Sequence, residues 1–219
     1  DSPGMLFSFR LGLARTGMRG SMIRLPQKHF STHIEPNRTD FFRKSSGENI
    51  EDITSYVRSW VNNNPGGEVH IGADSRSIDR IVVFAVAICL YRQSSGGHVV
   101  YKKMKVPFNG SRKNLVQCRL FEECEQALEV AGMLEKEAPP GAITVHIDCN
   151  PDVRYLSSSV YKATYGWIKS AGYKAKGKPD AWAASSVANH IVNGQFGHPA
   201  NQRGFGDHLV GRNLSRART

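Results

Sequence analysis

The chain has 219 residues and a formal net charge of +10, with 29 Lys and Arg against 19 Asp and Glu. Its hydrophobic content of 40% and charged content of 22% are ordinary for a globular protein, and its length allows one domain with extensions. The longest apolar run, residues 81–90, is too short to span a bilayer and is typical of a buried strand. The four cysteines show neither a CxxC pair nor zinc spacing, which favours free thiols in a reducing compartment.

The excess positive charge lies at the two ends of the chain. Residues 1–34 carry a net charge of +4 and residues 194–219 a net charge of +3, which leaves +3 for the body. From Met5 to residue 30 there is no acid, and basic residues recur four or five apart among apolar ones, at Arg10, Arg15, Arg19, Arg24 and Lys28. This pattern is typical of a mitochondrial presequence, with processing near Ser31 and a location in the matrix; the alternative is a disordered basic arm.

The first half of the body predicts a helix followed by an antiparallel meander. Apolar residues at three- and four-residue steps predict an amphipathic helix over 48–64, which Asn64-Pro65-Gly66-Gly67 ends. Three strands are expected over 68–74, 80–92 and 98–106, and their short connections favour antiparallel pairing. The second strand is apolar throughout, which indicates a central place in the sheet.

The second half of the body alternates helices with strands. The pattern predicts a long helix over 112–137, a strand over 142–150, a helix over 158–172, a short strand over 173–178 and a last helix over 180–192. Three antiparallel strands followed by two strands alternating with helices predict an α/β mixed sheet with flanking helices. We expect this domain to occupy residues 35–193, between a basic arm and a basic tail.

Two of the predicted strands end at an acid, Asp74 on the first strand and Asp148 on the fourth. If these strands are adjacent and parallel, their carboxyl ends bring both side chains to the edge where open α/β sheets place their sites. Two carboxylates held close together repel each other unless a cation lies between them. A hard divalent ion with oxygen ligands, Mg²⁺ or Mn²⁺, is therefore expected.

The long helix is expected to supply a third ligand. On a helical wheel Glu123 lies nearest the edge of the buried stripe, whereas Glu122, Glu125 and Glu129 lie farther from it and are expected to be solvated. Asp180 stands where the last helix is predicted to begin. It is either an N-cap, the usual role of Asp there, or a fourth metal ligand, and the convergence of three other acids favours the ligand.

Four segments, VHIGADS, RLFEECEQALEVAGML, VHIDCN and GYKAKGKPDAWAASSVANH, resemble in order and spacing the YkuK-like family of ribonuclease H-like proteins. The resemblance covers roughly residues 48–193 and implies a ribonuclease H-like fold. It also implies a possible Asp/Glu/Asp/Asp metal site, which falls on Asp74, Glu123, Asp148 and Asp180. One departure is Asn189, which stands where the family's ending usually has Asp.

Such a site suits phosphodiester hydrolysis, because two Mg²⁺ ions about 4 Å apart can activate a water and stabilise the leaving oxygen. Lys174, Lys176 and Lys178 alternate on the fifth strand and share one face, which is either a nucleic-acid-binding patch or an ordinary solvated edge. Several aromatic residues are candidates for stacking on bases, although core packing is the default expectation for Tyr155, Tyr161, Trp167 and Trp182.

The basic tail has too few apolar residues to form a core, and its arginines suit phosphate contacts made as the chain folds onto RNA: Arg203, Arg212, Arg216 and Arg218. Two functions remain open. The first is a mitochondrial, divalent-metal-dependent nuclease or nucleic-acid-processing protein, which the set of acids favours. The second is a non-catalytic RNA-binding component of a mitochondrial ribonucleoprotein such as the ribosome, which the basic ends and Asn189 favour.

Overall fold

The computed structural model describes residues 41–93, 95–108, 110, 114–139 and 141–195. The predicted presequence and its processing site lie outside the described residues. So do the four tail arginines, Arg203, Arg212, Arg216 and Arg218. The fold described below is therefore that of the body of the chain.

Seven strands form one mixed sheet in the order β2-β1-β5-β4-β3-β6-β7. They are β1 (Phe42–Lys44), β2 (Asn49–Ile50), β3 (Glu68–Ile78), β4 (Ile81–Arg92), β5 (Gly96–Pro107), β6 (Ile143–His146) and β7 (Lys174–Lys176). The five predicted strands are all present, and the predicted α/β mixed sheet is confirmed. The short strands β1 and β2 extend one edge of the sheet and were not predicted.

The three long strands β3, β4 and β5 form the predicted antiparallel meander. Strand β4 lies in the middle of the seven, and its residues 82–90 are all buried, because the sheet is covered on both faces. The prediction that β3 ends at Asp74 was wrong. The strand continues to Ile78 because Ser75 to Ile78 still pair with β4, where Ser75 lies opposite Phe84.

Strands β6 and β7 add to the other edge of β3 as parallel strands. The pairing of β3 with β6 stops where Gly72 lies opposite His146. The predicted fourth strand over 142–150 was therefore too long, and Asp148 lies two residues beyond the end of β6.

Three helices cover one face of the sheet: α1 (Ile53–Asn63), α2 (Leu115–Leu134) and α3 (Ser158–Ser170). Helix α1 begins later than predicted because Asp52 caps it, accepting hydrogen bonds from the backbone N–H groups of Thr54 and Ser55. Asn49 and Ile50, which were predicted to be in this helix, pair with β1 instead.

The opposite face of the sheet carries the last helical segment. It consists of a π-helix, Ala183–Ala188, that continues into the short α-helix α4, Asn189–Val192. The predicted helix start at residue 180 was too early. The π-helix packs directly on β3: a Cβ atom added at Gly72 would lie 2.4 Å from the backbone of Ala183 and Ala184, so only glycine allows this approach.

Strand β4 shows how the two faces divide the core. Alternate residues of this strand face the α1–α3 layer, including Val86, Ile88 and Leu90. The intervening residues Ala85, Ala87 and Cys89 pack instead with Trp182 and the π-helix. This period of two along one strand explains why the segment is apolar throughout. Packing against the two faces of the sheet holds α2 and α4 in place.

Candidate active site

A cavity of about 470 Å³ opens beside β3, beyond the carboxyl end of β6. It forms there because β3 and β6 stop pairing at Gly72 and His146, two residues before Asp74 and Asp148, so, in the part of the chain that the structure describes, β3 has no neighbouring strand on this side at Asp74. Three carboxylates and three cationic side chains line this carboxylate cavity, together with apolar groups: Asp74, Glu123, Asp148, Arg119, Arg154, Lys178, Val116, Leu120, Tyr155, Leu156 and Ser157.

Asp74 projects from β3 and is 6% exposed. The side-chain amide of Asn189 donates a hydrogen bond from Nδ2 to Asp74 Oδ2 at 2.9 Å. Burial, followed by the negative charge of Asp148, raises the pKa of Asp74. The N–H donors of Ser75 and Asn189 and the charge of Arg119 oppose that rise in pKa.

Glu123 reaches the same cavity from α2 and is 5% exposed. Its Oε1 accepts a hydrogen bond of 2.5 Å from the Ser75 hydroxyl, and the Arg119 Nη2 atom lies 4.0 Å away. Arg119 also donates to the Ser75 hydroxyl and the Ser75 backbone carbonyl, so helix and strand are tied together. Burial, and then the charge of Asp74, raises the pKa of Glu123 well above its ordinary value.

The helical wheel predicted the exposure of two of the four glutamates of α2, and the other two are more buried than expected. Glu125 and Glu129 are exposed, and Glu122 is half-buried and accepts a hydrogen bond from Gln126. Glu123, however, belongs to the buried face of the helix, not to its edge. A carboxylate is tolerated there because Ser75 and Arg119 supply hydrogen bonding and positive charge.

Asp148 is held by Lys178. The Lys178 Nζ atom lies 3.0 Å from Asp148 Oδ1 and donates a hydrogen bond to Oδ2 at 3.1 Å. Lys178 was predicted as one of three lysines on a nucleic-acid-binding or solvated strand face. The structure places its ammonium in the cavity, whereas Lys174 is exposed and Lys176 is half-buried beyond the residues that line it.

Asp180 does not join the other three acids in the structure. It is exposed and is not among the described residues that line the carboxylate cavity. It also does not cap the last helix, because the helix begins after Trp182 and has no side-chain cap hydrogen bond. Asn189, the first residue of α4, is the side chain that contacts Asp74. The metal role of Asp180 stays a prediction.

The mouth of the cavity is partly apolar. Leu156 is 81% exposed, Tyr155 52% and Val116 43%, and all three line the cavity. Core packing, the default expectation for the aromatic residues, therefore holds for the buried Trp182 but not for Tyr155. Exposed apolar and aromatic groups beside buried carboxylates offer a surface on which nucleobases can stack.

Behind the cavity, two buried histidines form a directed hydrogen-bond chain. The backbone N–H of Ala183 donates to His146 Nδ1, at 3.3 Å, so the proton of this neutral ring is on Nε2. Nε2 lies 3.1 Å from His70 Nδ1, and His70 Nε2 lies 2.9 Å from a carboxylate oxygen of Glu68. Burial lowers the pKa of both histidines, which keeps both rings neutral. The hydrogen bonds of this chain connect the start of the π-helix to β6 and β3.

Sequence reasoning identified three acids of the cavity but not the groups that contact them. For two of these contacting groups, Arg119 and Asn189, the sequence did contain a signal. Arg119 stands four residues before Glu123, the spacing of side-chain pairs on one helix face. Asn189 was noted only as a departure from the resembled family's motif. No sequence signal paired Lys178 with Asp148, because that pairing depends on how the segments after β6 and β7 pack together.

The donor set suits a divalent metal by chemical type, since carboxylate oxygens are the ligands that Mg²⁺ and Mn²⁺ prefer. Among the described residues, no group of three or more His, Cys, Asp or Glu side chains is arranged so that it could hold a metal ion. Each of the three carboxylates is engaged by a donor of the protein: Asp74 by Asn189, Glu123 by Ser75 and Asp148 by Lys178.

A mixed sheet with a three-stranded antiparallel meander, parallel strands at one edge, and acids at their carboxyl ends defines a ribonuclease H-like domain. A family model described as Ribonuclease H-like matches residues 48–193, more than half of the chain, and the chain belongs to that family. Comparison with curated proteins and with solved structures gave no match. The family indicates a nuclease function on nucleic acids, and nucleases of this type typically use divalent metals. None of the helices in the described part of the chain is long and apolar enough to cross a bilayer.

Proposed function

We propose that this protein is a divalent-metal-dependent nucleic-acid phosphodiester hydrolase of the YkuK-like branch, acting in the mitochondrial matrix. The observation that carries the proposal is the convergence of Asp74 from β3, Asp148 from the segment after β6 and Glu123 from α2 on one cavity. A role as helix cap or as part of a solvated surface does not account for the positions of these acids, because Asp74 and Glu123 are almost completely buried.

The chain's own residues have distinct roles in this proposal. Asp74, Glu123 and Asp148, which do not form an ion-binding group as they stand, would have to draw together to hold Mg²⁺ or Mn²⁺, which would supply an activated water and neutralise developing negative charge. Arg154 lies at the cavity wall with a side chain 81% exposed, and its guanidinium pairs with Asp152. In this proposal a phosphate oxygen would compete with Asp152 for that guanidinium. Tyr155 and its apolar neighbours at the mouth offer a stacking surface for an adjacent base.

The test measures metal binding and cleavage on the same preparations. Mn²⁺ or Mg²⁺ should raise the melting temperature of the wild type by mass action, and Asp74→Asn or Glu123→Gln should remove both that rise and the cleavage of a structured RNA or an RNA–DNA hybrid. Glu125→Gln is the matched control, because it makes the same change at an exposed position of α2. No thermal shift and no cleavage by the wild type would count against the proposal.

The second candidate function is a non-catalytic, RNA-binding part of a mitochondrial ribonucleoprotein such as the ribosome. Two contacts favour it: Asp74 accepts a hydrogen bond from the Asn189 amide, and Asp148 is paired with the Lys178 ammonium, so each acid has a partner from the protein itself. In this case deletion of residues 194–219 should release the protein from large mitochondrial particles, whereas Asp74→Asn with Asp148→Asn should not. Free sedimentation of the wild type together with metal-dependent cleavage would rule this candidate out.

The mitochondrial address rests on the acid-free segment that follows Met5. Fused to a fluorescent reporter, residues 5–34 should direct it into mitochondria, and the mature chain should begin near Ser31. Replacing the arginines of this segment with glutamine should leave the reporter in the cytosol. A reporter that stays cytosolic with the unaltered segment would contradict the proposed location.

A further inference from the structure

The contact between Lys178 and Asp148 is the closest pairing of a cation with one of the three acids of the carboxylate cavity. The ammonium is 3.0 Å from Oδ1 and 3.1 Å from Oδ2, so it faces both oxygens of one carboxylate. Asp74 has only a neutral amide as its side-chain donor, and Glu123 has a hydroxyl, with its nearest guanidinium nitrogen at 4.0 Å.

The backbone places Lys178 there. Strands β6 and β7 pair in a parallel register in which His146 lies opposite Lys176. The regular pairing ends there, after the N–H of Ile147 donates to the carbonyl of Lys176. Beyond it, the N–H of Lys178 donates to the carbonyl of Cys149 at 3.0 Å, and this hydrogen bond holds the backbone of Lys178 next to the segment that carries Asp148.

The backbone of Lys178 is held by a hydrogen bond, and its side chain has open space beside it. The side chain of Lys178 is 38% exposed, that of Asp148 is 21% exposed, and both line the open space of about 470 Å³. Lysine carries its charge on a flexible four-carbon stem, so the ammonium can turn from the carboxylate towards the cavity without any backbone change.

We propose that Lys178 is the resident cation of the carboxylate cavity and competes there with a divalent ion for Asp148. A metal that uses Asp148 has to draw this carboxylate away from the ammonium, and the released ammonium then faces the space where a phosphate would lie. Anything that binds the ammonium, such as a substrate phosphate, therefore favours metal binding, and the metal favours phosphate binding by the same factor. The inference rests on the proposed function for its metal, but the contact itself exists without an ion.

The experiment titrates Mn²⁺ alone into the full-length protein. Affinity is measured by isothermal titration calorimetry and by the loss of the electron paramagnetic resonance signal of free Mn²⁺. Lys178→Met should raise Mn²⁺ affinity about tenfold or more, because it removes a like charge next to the ion and frees a ligand. Lys178→Arg keeps the charge and should bind as the wild type does. Lys176→Met removes the same charge two residues earlier on the same strand face and should change affinity less than about twofold. If Lys178→Met does not fold, Lys178→Gln takes its place with the same expectation.

The outcomes separate this inference from the proposed function. Equal or weaker Mn²⁺ binding by Lys178→Met, with a wild type that binds, would overturn the resident-cation inference and leave metal-dependent hydrolysis standing. Binding by Lys178→Met with a wild type that does not bind would support the inference and remove the metal from the proposed function. Absence of Mn²⁺ binding in both proteins would overturn both.

Discussion

Replacing Asn189 by aspartate tests the electrostatics of the site most directly. The wild-type amide donates a 2.9 Å hydrogen bond to Asp74, whose pKa is already raised by burial and by Asp148. Asn189→Asp removes this donor, which costs about 1.5–3 kcal/mol for a charged partner. It also sets two carboxylates about 4 Å apart, which costs up to about 4 kcal/mol at an effective dielectric constant of about 20.

The two costs do not add fully, because Asn189 is half-buried and a raised pKa lets the pair share a proton. We expect Asn189→Asp to lose about 3 kcal/mol of unfolding free energy at about pH 8 in EDTA, or about 6–12 °C in melting temperature. The sign of the pH dependence follows from the raised pKa. The loss is present above the pKa of the pair and diminishes as the pH falls and the folded state takes up a proton.

Urea unfolding with and without Mn²⁺ measures both effects. Mn²⁺ should restore more stability to Asn189→Asp than to the wild type, because the new oxygen is a possible ligand. Asn62→Asp, at an exposed position of α1, adds the same charge and should change stability by less than about 1 kcal/mol. If Asn189→Asp were as stable as the wild type at about pH 8 in EDTA, the assigned contact with Asp74 would be wrong.

Three further predictions concern the fold and the mouth of the cavity. Gly72→Ala places a Cβ atom 2.4 Å from the π-helix backbone and should cost about 3 kcal/mol in urea unfolding, whereas Gly166→Ala, on α3 with open space around it, should be neutral or stabilising. Burial lowers the pKa of His146, so below the ordinary value of 6.5 the unfolded state binds a proton that the folded state does not. The free energy of unfolding should therefore fall as the pH drops below 6.5, by up to about 1.4 kcal/mol per pH unit. His146→Asn should remove this pH dependence. Tyr155→Ala should weaken the binding of a single-stranded oligonucleotide about tenfold in fluorescence anisotropy and affect a duplex less, and equal binding by the variant would contradict a stacking role.

The strands and helices that have a strong local pattern were predicted well. The continuous apolar segment of β4 and the alternation of helices and strands after residue 110 were sufficient for the mixed sheet. The boundaries were less accurate where neighbours decide them. Strand β3 runs past Asp74 because β4 continues beside it, and α1 starts late because Asn49 and Ile50 pair with β1.

The acids of the site were predictable for a related reason. Asp74 and Asp148 each come two residues after the last paired residues of two parallel neighbours, β3 and β6, so both lie where that pairing ends. Asp180 shows the limit of this argument. Its sequence position after β7 is similar, but the chain turns before the π-helix and leaves its side chain exposed.

The sequence by itself determined the order of strands and helices, the acid-bearing strand ends and the basic composition of both ends of the chain, because these depend on residue type and local periodicity. Only the tertiary structure decided which donors meet the acids. The Asn189 amide reaches Asp74 from α4, which packs on the opposite face of the sheet from α2, and the segment that follows β7 brings Lys178 to Asp148. These contacts join residues 30 and 115 positions apart in the chain. Their partners are therefore chosen by packing and strand register, which no local pattern encodes.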